Sequence, residues 1–292
     1  VVRDLDRDAA QTFIDRGAGW ADSPKQMAEM CDVIITCLPS PAACSDVMEG
    51  ADGILDGLSP GKIWMEMSTT DAAEVKRLGA MVKAKGAEPV DCPVSGGCHR
   101  ADTGNISIFA GCERETFEKV LPLTTVLGRR VLHTGPLGSA STLKVMTNYL
   151  ATANLLTCCE ALVTMKAAGM DLATTYEAMK ISSGTSFVHE TESQLILNGS
   201  RDVNFTIDLV LKDIGLFQTI AERNNVPLEI SPMIIDIMKD GQKRYGQRAN
   251  SDDIIRRLED ATGLSVVADG FPDDLVDDEP EEKGYEVVPP GR

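Results

Sequence analysis

Along the first half of the chain, apolar residues fall into short unbroken runs, separated by stretches where they return every three or four positions. Residues 33–38 (VIITCL) are apolar almost throughout, the pattern of a strand buried on both faces of a parallel sheet. Residues 62–67 (KIWMEM), 87–91 and 106–110 repeat that signal, and residues 1–4 read as the end of a further strand. Between the runs, amphipathic spacing predicts helices over 6–16, 71–85 and 113–127. A helix from Ser23-Pro24 to Met30 carries a serine N-cap followed by proline at the first helical position. Strand–helix alternation at this spacing implies βαβ units, hence a mostly parallel, doubly wound sheet with helices on both faces.

After Gly138 the period changes. One uninterrupted helical pattern runs over 139–168 without proline or glycine, followed by patterns at 171–181, 187–198, 208–224, 232–245 and 252–260. No strand signal stands among them. Three regions are therefore expected: an α/β domain over 1–138, an all-α domain over 139–265, and a tail over 266–292. The Asp, Glu and Pro content from Gly270 onward predicts an extended tail without a packed element, laid along a neighbouring subunit or disordered.

Composition narrows the chemistry. The net charge of −17 argues against nucleic acid or an anionic membrane surface, which both need a basic face. No apolar run has the length of a membrane span and no secretory leader opens the sequence, so the expected location is the cytoplasm. None of the eight cysteines forms a CxxC pair and His99, His133 and His189 lack zinc-ligand spacing, so no metal is expected and most cysteines read as buried, reduced thiols.

Ligands of doubly wound sheets bind outside the carboxyl ends of the strands. Asp4 stands at one such end, where a carboxylate accepts from an adenosine ribose and repels a 2′-phosphate; equally, it caps a helix. Leu38-Pro39-Ser40 and Ser68-Thr69-Thr70 end the next two strands, lining a crevice or simply capping helices. Residues 91–97 (DCPVSGG) turn through Ser95, Gly96 and Gly97, which expose successive backbone N–H groups to a carboxylate, or form an ordinary glycine turn. Lys144 and Asn148 lie four apart on one helix face behind the turn 135–140 (GPLGSA). A lysine there can exchange the proton of an alcohol and stabilise an alkoxide; such a pair is also a common solvated face.

Taken in order, residues 91–104 (DCPVSGGCHRADTG), 135–148 (GPLGSASTLKVMTN) and 205–213 (FTIDLVLKD), with LPS at 38–40 and MSTT at 67–70, resemble the β-hydroxyacid dehydrogenase family. That family includes 3-hydroxyisobutyrate dehydrogenase and tartronate semialdehyde reductase. The resemblance extends to about Leu264. It implies a Rossmann-type domain followed by the helical domain, with the active site between them and a homodimer or homotetramer as the assembly. It also implies NAD-dependent interconversion of a small β-hydroxy acid and its semialdehyde. By the same resemblance Lys144 is catalytic and Asn148 orients the substrate. Ser95, Gly96 and Gly97 bind its carboxylate. Leu38, Pro39 and Thr70 line the cofactor site, and Lys212 reaches the cofactor–substrate junction.

Two departures stand out. The family's opening strand and GxGxxG turn do not occur here, which suggests a missing segment of roughly 25–30 residues, the size of one strand–turn–helix. Without it, a catalytically silent relative that binds a nucleotide or a partner stays open. The second departure is His99-Arg100, where the family carries small residues. Either the pair reads a more strongly acidic head group, such as the sulfonate of dihydroxypropanesulfonate or sulfolactaldehyde, or Arg100 is tied up in a surface salt bridge.

Overall fold

The computed structural model describes residues 1–291 and divides the chain into two compact units. Unit 1 takes residues 1–96, 104–144 and the final segment from Glu281; unit 2 takes Gly97–Thr103 and Val145–Pro280.

Unit 1 is built on one sheet of strands β1 (Val33–Thr36), β2 (Ile63–Glu66), β3 (Glu88–Asp91), β4 (Val94–Ser95), β5 (Ser107–Gly111), β6 (Arg130–Gly135) and β7 (Tyr285–Val287). The order is β1-β2-β3-β5-β6-β7, with β4 paired to β5. β1, β2 and β3 are parallel, as are β5, β6 and β7; the joins β3–β5 and β4–β5 are antiparallel. All four residues of β2 are buried, and their alternation divides the interior. Trp64 packs with Ile34, Met48 and Leu78 on one face, whereas Met65 packs with Val90, Ile108 and Phe117 on the other. Complete burial of a side chain such as Phe117 contributes roughly 3 kcal/mol.

Several local expectations give way to packing. β1 is an edge strand of this sheet, and Ile35 at its centre is 40% exposed, so the apolar run 33–38 is not covered on both faces. Residues 1–4 form only a parallel bridge, Val2 to Trp20, and the helix expected over 6–16 shortens to a 3-10 turn, Asp8–Ala10, and the helix Gln11–Asp15. The Ser23-Pro24 signal does start a helix, with Ser23 Oγ accepting from Gln26 N. Ser40-Pro41 repeats it and starts the helix Pro41–Glu49, which the apolar pattern did not suggest. Asp71 caps the helix Ala72–Ala84, so Ser68 and Thr70 do not.

The tail forms no helix or strand over 264–284, but its end departs from the expectation of no packed element: β7 pairs with β6 over Arg130–Leu132, and Arg114 forms a forked ion pair with Glu286. An apolar and aromatic-containing run at 285–288 makes this strand possible; averaging the composition from Gly270 onward hides it.

The helix Ser139–Ala167 begins in unit 1 and continues into unit 2, where it packs with Leu172–Lys180, Phe187–Asn198, Ile207–Arg223 and Ile230–Tyr245. Leu162, Ile196, Ile207, Ile214 and Met238 are among the fully buried residues of this core. His189 is a satisfied interior histidine, with Nδ1 on Ser193 and Nε2 on the carbonyl of Tyr176. All eight cysteines are free thiols, five of them buried.

Unit 2 also buries two facing acids. Asp252, wholly inaccessible in the 3-10 turn Ser251–Ile255, meets the carboxyl of Glu192 from the neighbouring helix. Burial pushes Glu192 up to about 7, and burial together with Glu192 raises Asp252 well above the carboxylate range. The native pair therefore keeps a proton that the unfolded chain releases near pH 4. Because the folded pair binds more protons, its contribution to stability is fully present below about pH 4 and is lost as pH rises through the raised native values. The Asp252→Asn variant is expected to flatten that slope and to melt a few degrees above the native protein at pH 8. Thermal unfolding between pH 5 and 9 tests this; parallel curves for the two proteins would show that the pair shares no proton.

Candidate active site

β3 ends in Asp91, which is completely buried. Its Oδ2 accepts from Ser141 N at 2.9 Å and its Oδ1 from Ser141 Oγ at 2.5 Å. The first turn of the long helix is thus pinned to the sheet by a carboxylate, where the amide dipoles favour negative charge. Burial nevertheless raises Asp91 to about 6, with the Ser141 hydrogen bonds working against it. Gly138, at φ +87, makes the turn into this helix, and a Cβ there would lie 3.1 Å from the Ala72 carbonyl oxygen. Lys144 follows Ser141 by three residues and is 93% buried, with 7% of its surface accessible. Its neighbour on the helix face, Asn148, is half-buried.

Beyond β3, β4 runs into Ser95, and the chain then passes Gly96 and Gly97 at φ +137 and +85. Only glycine adopts that succession readily, and it keeps Cβ atoms away from the backbone N–H groups of the turn.

The ends of β1 and β2 are sewn together by polar contacts. Leu38 N donates to Ser68 Oγ, and Ser68 N donates to Glu66. Glu66 also accepts from Thr36, whose hydroxyl oxygen accepts from the Trp64 indole. Glu66 is fully buried, and burial raises its carboxyl above the usual range. Pro39 is exposed, whereas the Thr70 hydroxyl is buried without a hydrogen-bond partner. Asp4 is exposed and accepts from Asp6 N in its own turn.

In unit 2 the helix Ile207–Arg223 brings Lys212 and Asp213 to the long helix. Asn148 Nδ2 donates to Asp213 Oδ2 at 2.5 Å, and Lys212 Nζ stands 2.9 Å from Asp213 Oδ1, an ion pair off the angle of a hydrogen bond. Asp213 therefore links two of the residues singled out in the sequence. It was passed over as a site residue, although the Lys-Asp dipeptide of residues 205–213 contained the signal.

His99 and Arg100 lie in the short helix Cys98–Asp102. Arg100 reaches over the Phe187 ring, 4.7 Å from its centroid, and His99 stacks beside that ring at 6.3 Å. Arg100 Nη2 donates to Glu279 at 2.9 Å, and its Nε lies 3.9 Å from Asp277. Arg100 is thus ion-paired with two carboxylates of the tail. Burial and the adjacent Arg100 charge both lower the His99 pKa.

A nicotinamide dinucleotide fits these residues in part. The carboxyl ends of β1 and β2 present Leu38, Pro39 and the orphaned Thr70 hydroxyl on neighbouring parallel strands. No GxGxxG turn, whose amides would cradle the pyrophosphate, occurs in the sequence. Among the described residues no group of three His, Cys, Asp or Glu is arranged to hold a metal ion, and no helix is long and apolar enough to cross a membrane.

Comparison with known proteins bears on the same regions. Residues 1–135 match the family model for the NAD binding domain of 6-phosphogluconate dehydrogenase. Residues 138–258 match the model for the NAD-binding region of NADP-dependent 3-hydroxyisobutyrate dehydrogenase. The chain is 30% identical to 2-(hydroxymethyl)glutarate dehydrogenase of Eubacterium barkeri over 87% of its length and 84% of that protein. It is 28% identical to 3-sulfolactaldehyde reductase of Escherichia coli, over 91% and 89%. Its fold is similar to the crystal structure of 3-hydroxyisobutyrate dehydrogenase from Salmonella typhimurium, with TM-score 0.78, 24% identity, and coverage of 87% and 89%.

Proposed function

The chain belongs to the β-hydroxyacid dehydrogenase family of nicotinamide-dependent enzymes, and we propose that it interconverts a small β-hydroxy acid and its semialdehyde with NAD. The observation that carries this reading is the pairing of Lys144 with Asn148 on one face of the helix Ser139–Ala167, with the Asn148 amide turned by Asp213. A bound nicotinamide supplies the hydride acceptor. Lys144 takes the hydroxyl proton as the alcohol is oxidised, and its ammonium form returns that proton in the reverse direction. Asn148 holds the hydroxyl and the lysine in register, and Asp213 is a positioning residue for Asn148 and Lys212. Ser95, Gly96 and Gly97 receive the substrate carboxylate on backbone N–H groups. Leu38, Pro39 and Thr70 line the cofactor, with Lys212 at its junction with the substrate. Asp4 accepts from the adenosine ribose, and its charge, which repels a 2′-phosphate, favours NAD over NADP.

The two relatives support a small acidic substrate, since one is named for a hydroxymethyl dicarboxylate and the other for a sulfonated aldehyde. NADH formation by the purified protein, followed against 3-hydroxy monocarboxylates, 3-hydroxy dicarboxylates and hydroxysulfonates, tests the proposal. Turnover of at least one class is expected, and its absence in the Lys144→Ala variant. No turnover with any class, together with no NAD binding by calorimetry, would replace this reading with that of a silent relative.

A further inference from the structure

Residues 275–279 of the acidic tail belong to unit 2, and along them Leu275, Asp277 and Glu279 are partly covered while Val276 and Asp278 are exposed. This alternation lays two carboxylates on the single guanidinium of Arg100. The Asp277 side chain is only 1% exposed, and its Oδ2 also accepts from Thr103 Oγ1 at 2.5 Å. The other side of the arginine is a built platform. Phe187 carries the guanidinium on its ring face, and the His99 imidazole lies beside it. That imidazole folds back so far that a Cβ on Gly97 would meet its Cε1 at 3.0 Å. Arg100 is thus a preset, stacked, two-pronged oxyanion receptor three residues after Gly97, filled by the protein's own carboxylates.

We propose that Asp277 and Glu279 form an internal strap that stands in for the second acidic group of a small dianionic acid, and that such a substrate or product displaces the strap to reach Arg100. The proposal rests on the hydroxy-acid reading above and narrows it to acids carrying a carboxylate or sulfonate at each end. Three features favour a displaceable strap over a purely structural salt bridge. Guanidinium forks match planar oxyanions whether these come from a side chain or a ligand. The Glu279 side chain is 26% exposed, so its ion pair is within reach of solvent. The strap also leaves Arg100 on an aromatic face that would hold it in place after the carboxylates depart. A receptor occupied most of the time by its own strap lowers the apparent affinity for the competing ligand by the fraction open. A monoanion that makes no contact with Arg100 would not sense that fraction.

The test is calorimetric binding of glutarate and of butyrate to the NAD-saturated protein, in the native form and in the double variant Asp277→Asn with Glu279→Gln. Glutarate is expected to bind about three- to fivefold more tightly to the double variant, the scale of an exposed ion pair, while butyrate is unchanged. Adding Arg100→Ala should erase the gain. Equal glutarate affinity in the two proteins, a matching gain for butyrate, or a gain that survives Arg100→Ala would each overturn the strap. Should the double variant fail to fold, Glu279→Gln alone should still strengthen glutarate binding about twofold, and no gain there would count against the proposal. The sulfonate arm uses 3-sulfopropanoate, for which the same ordering is expected. Because none of these readouts needs turnover, inactivity toward every hydroxy acid would sink the enzymatic reading without deciding the strap.

Discussion

Replacing Lys144 by alanine is expected to lower kcat by about 10³-fold, with the substrate KM changed far less and the melting temperature little altered. The size follows from the role. Positioned proton transfer contributes about 10²–10⁴-fold to a rate, and 10³-fold corresponds to about 4 kcal/mol of transition-state stabilisation. The interaction it removes forms only as the hydroxyl proton leaves, so the loss falls on kcat. Lys144→Arg should rescue little, although it restores the positive charge, because a guanidinium holds its proton too tightly to exchange it. Steady-state kinetics on the best substrate of the panel checks both variants. An alanine variant within tenfold of the native kcat would remove Lys144 from the chemistry and move the search to the Asn148–Asp213–Lys212 group.

The second large effect is expected at Asp91. Its two oxygens hold both the backbone N–H and the hydroxyl of Ser141, in the turn of helix that precedes Lys144. Alanine at 91 would orphan two buried donors and take the anion away from the helix N-terminus. Hydrogen bonds to a charged group contribute about 1.5–3 kcal/mol each, and a stranded buried donor costs about 1–3 kcal/mol. A loss of about 3 kcal/mol in unfolding free energy is therefore expected for Asp91→Ala, read from urea denaturation. Activity should fall as well, since the turn that presents Lys144 loses its anchor. Asp91→Asn keeps the shape and one acceptor, and should recover roughly half of the stability. If alanine at 91 left both stability and turnover intact, the pinning of this helix to β3 would be irrelevant to the site.

How much of this was legible in the residues depends on the range of the interactions involved. The alternation of apolar runs and helical periods gave the strands at 62–67, 87–91 and 106–110 and every long helix, because those patterns record local period and burial together. It misjudged residues 33–38, since an apolar run reports the character of a strand and not whether a neighbour covers it; Ile35 is exposed on the sheet's edge. β6 escaped notice because Arg130, His133 and Thr134 interrupt its apolar pattern, and β7 because three residues of strand are lost in an acidic, proline-rich average. At the candidate site, Lys144, Asn148 and Lys212 were picked out one by one. The carboxylates that fix their neighbourhood, Asp91 and Asp213, were not. Their partners are 50 and 65 residues away in the sequence, and nothing in the local pattern marks a buried acid that serves as an acceptor. Arg100 shows the same limit from the other side: its partners lie more than 170 residues downstream.

The late strand β7 sets a timetable for synthesis. Unit 1 takes its last strand from residues that leave the ribosome only after the whole of Val145–Pro280 has been made. At about 5–20 residues per second, that interval is roughly seven to thirty seconds. Throughout it, β6 would offer a row of unpaired backbone groups to any other nascent chain in the same polysome. Unit 2 has no such wait for its principal helices, which arrive in sequence and pack on close neighbours. Vectorial folding of unit 1 therefore closes only after unit 2 has been made, and β6 is the edge left waiting.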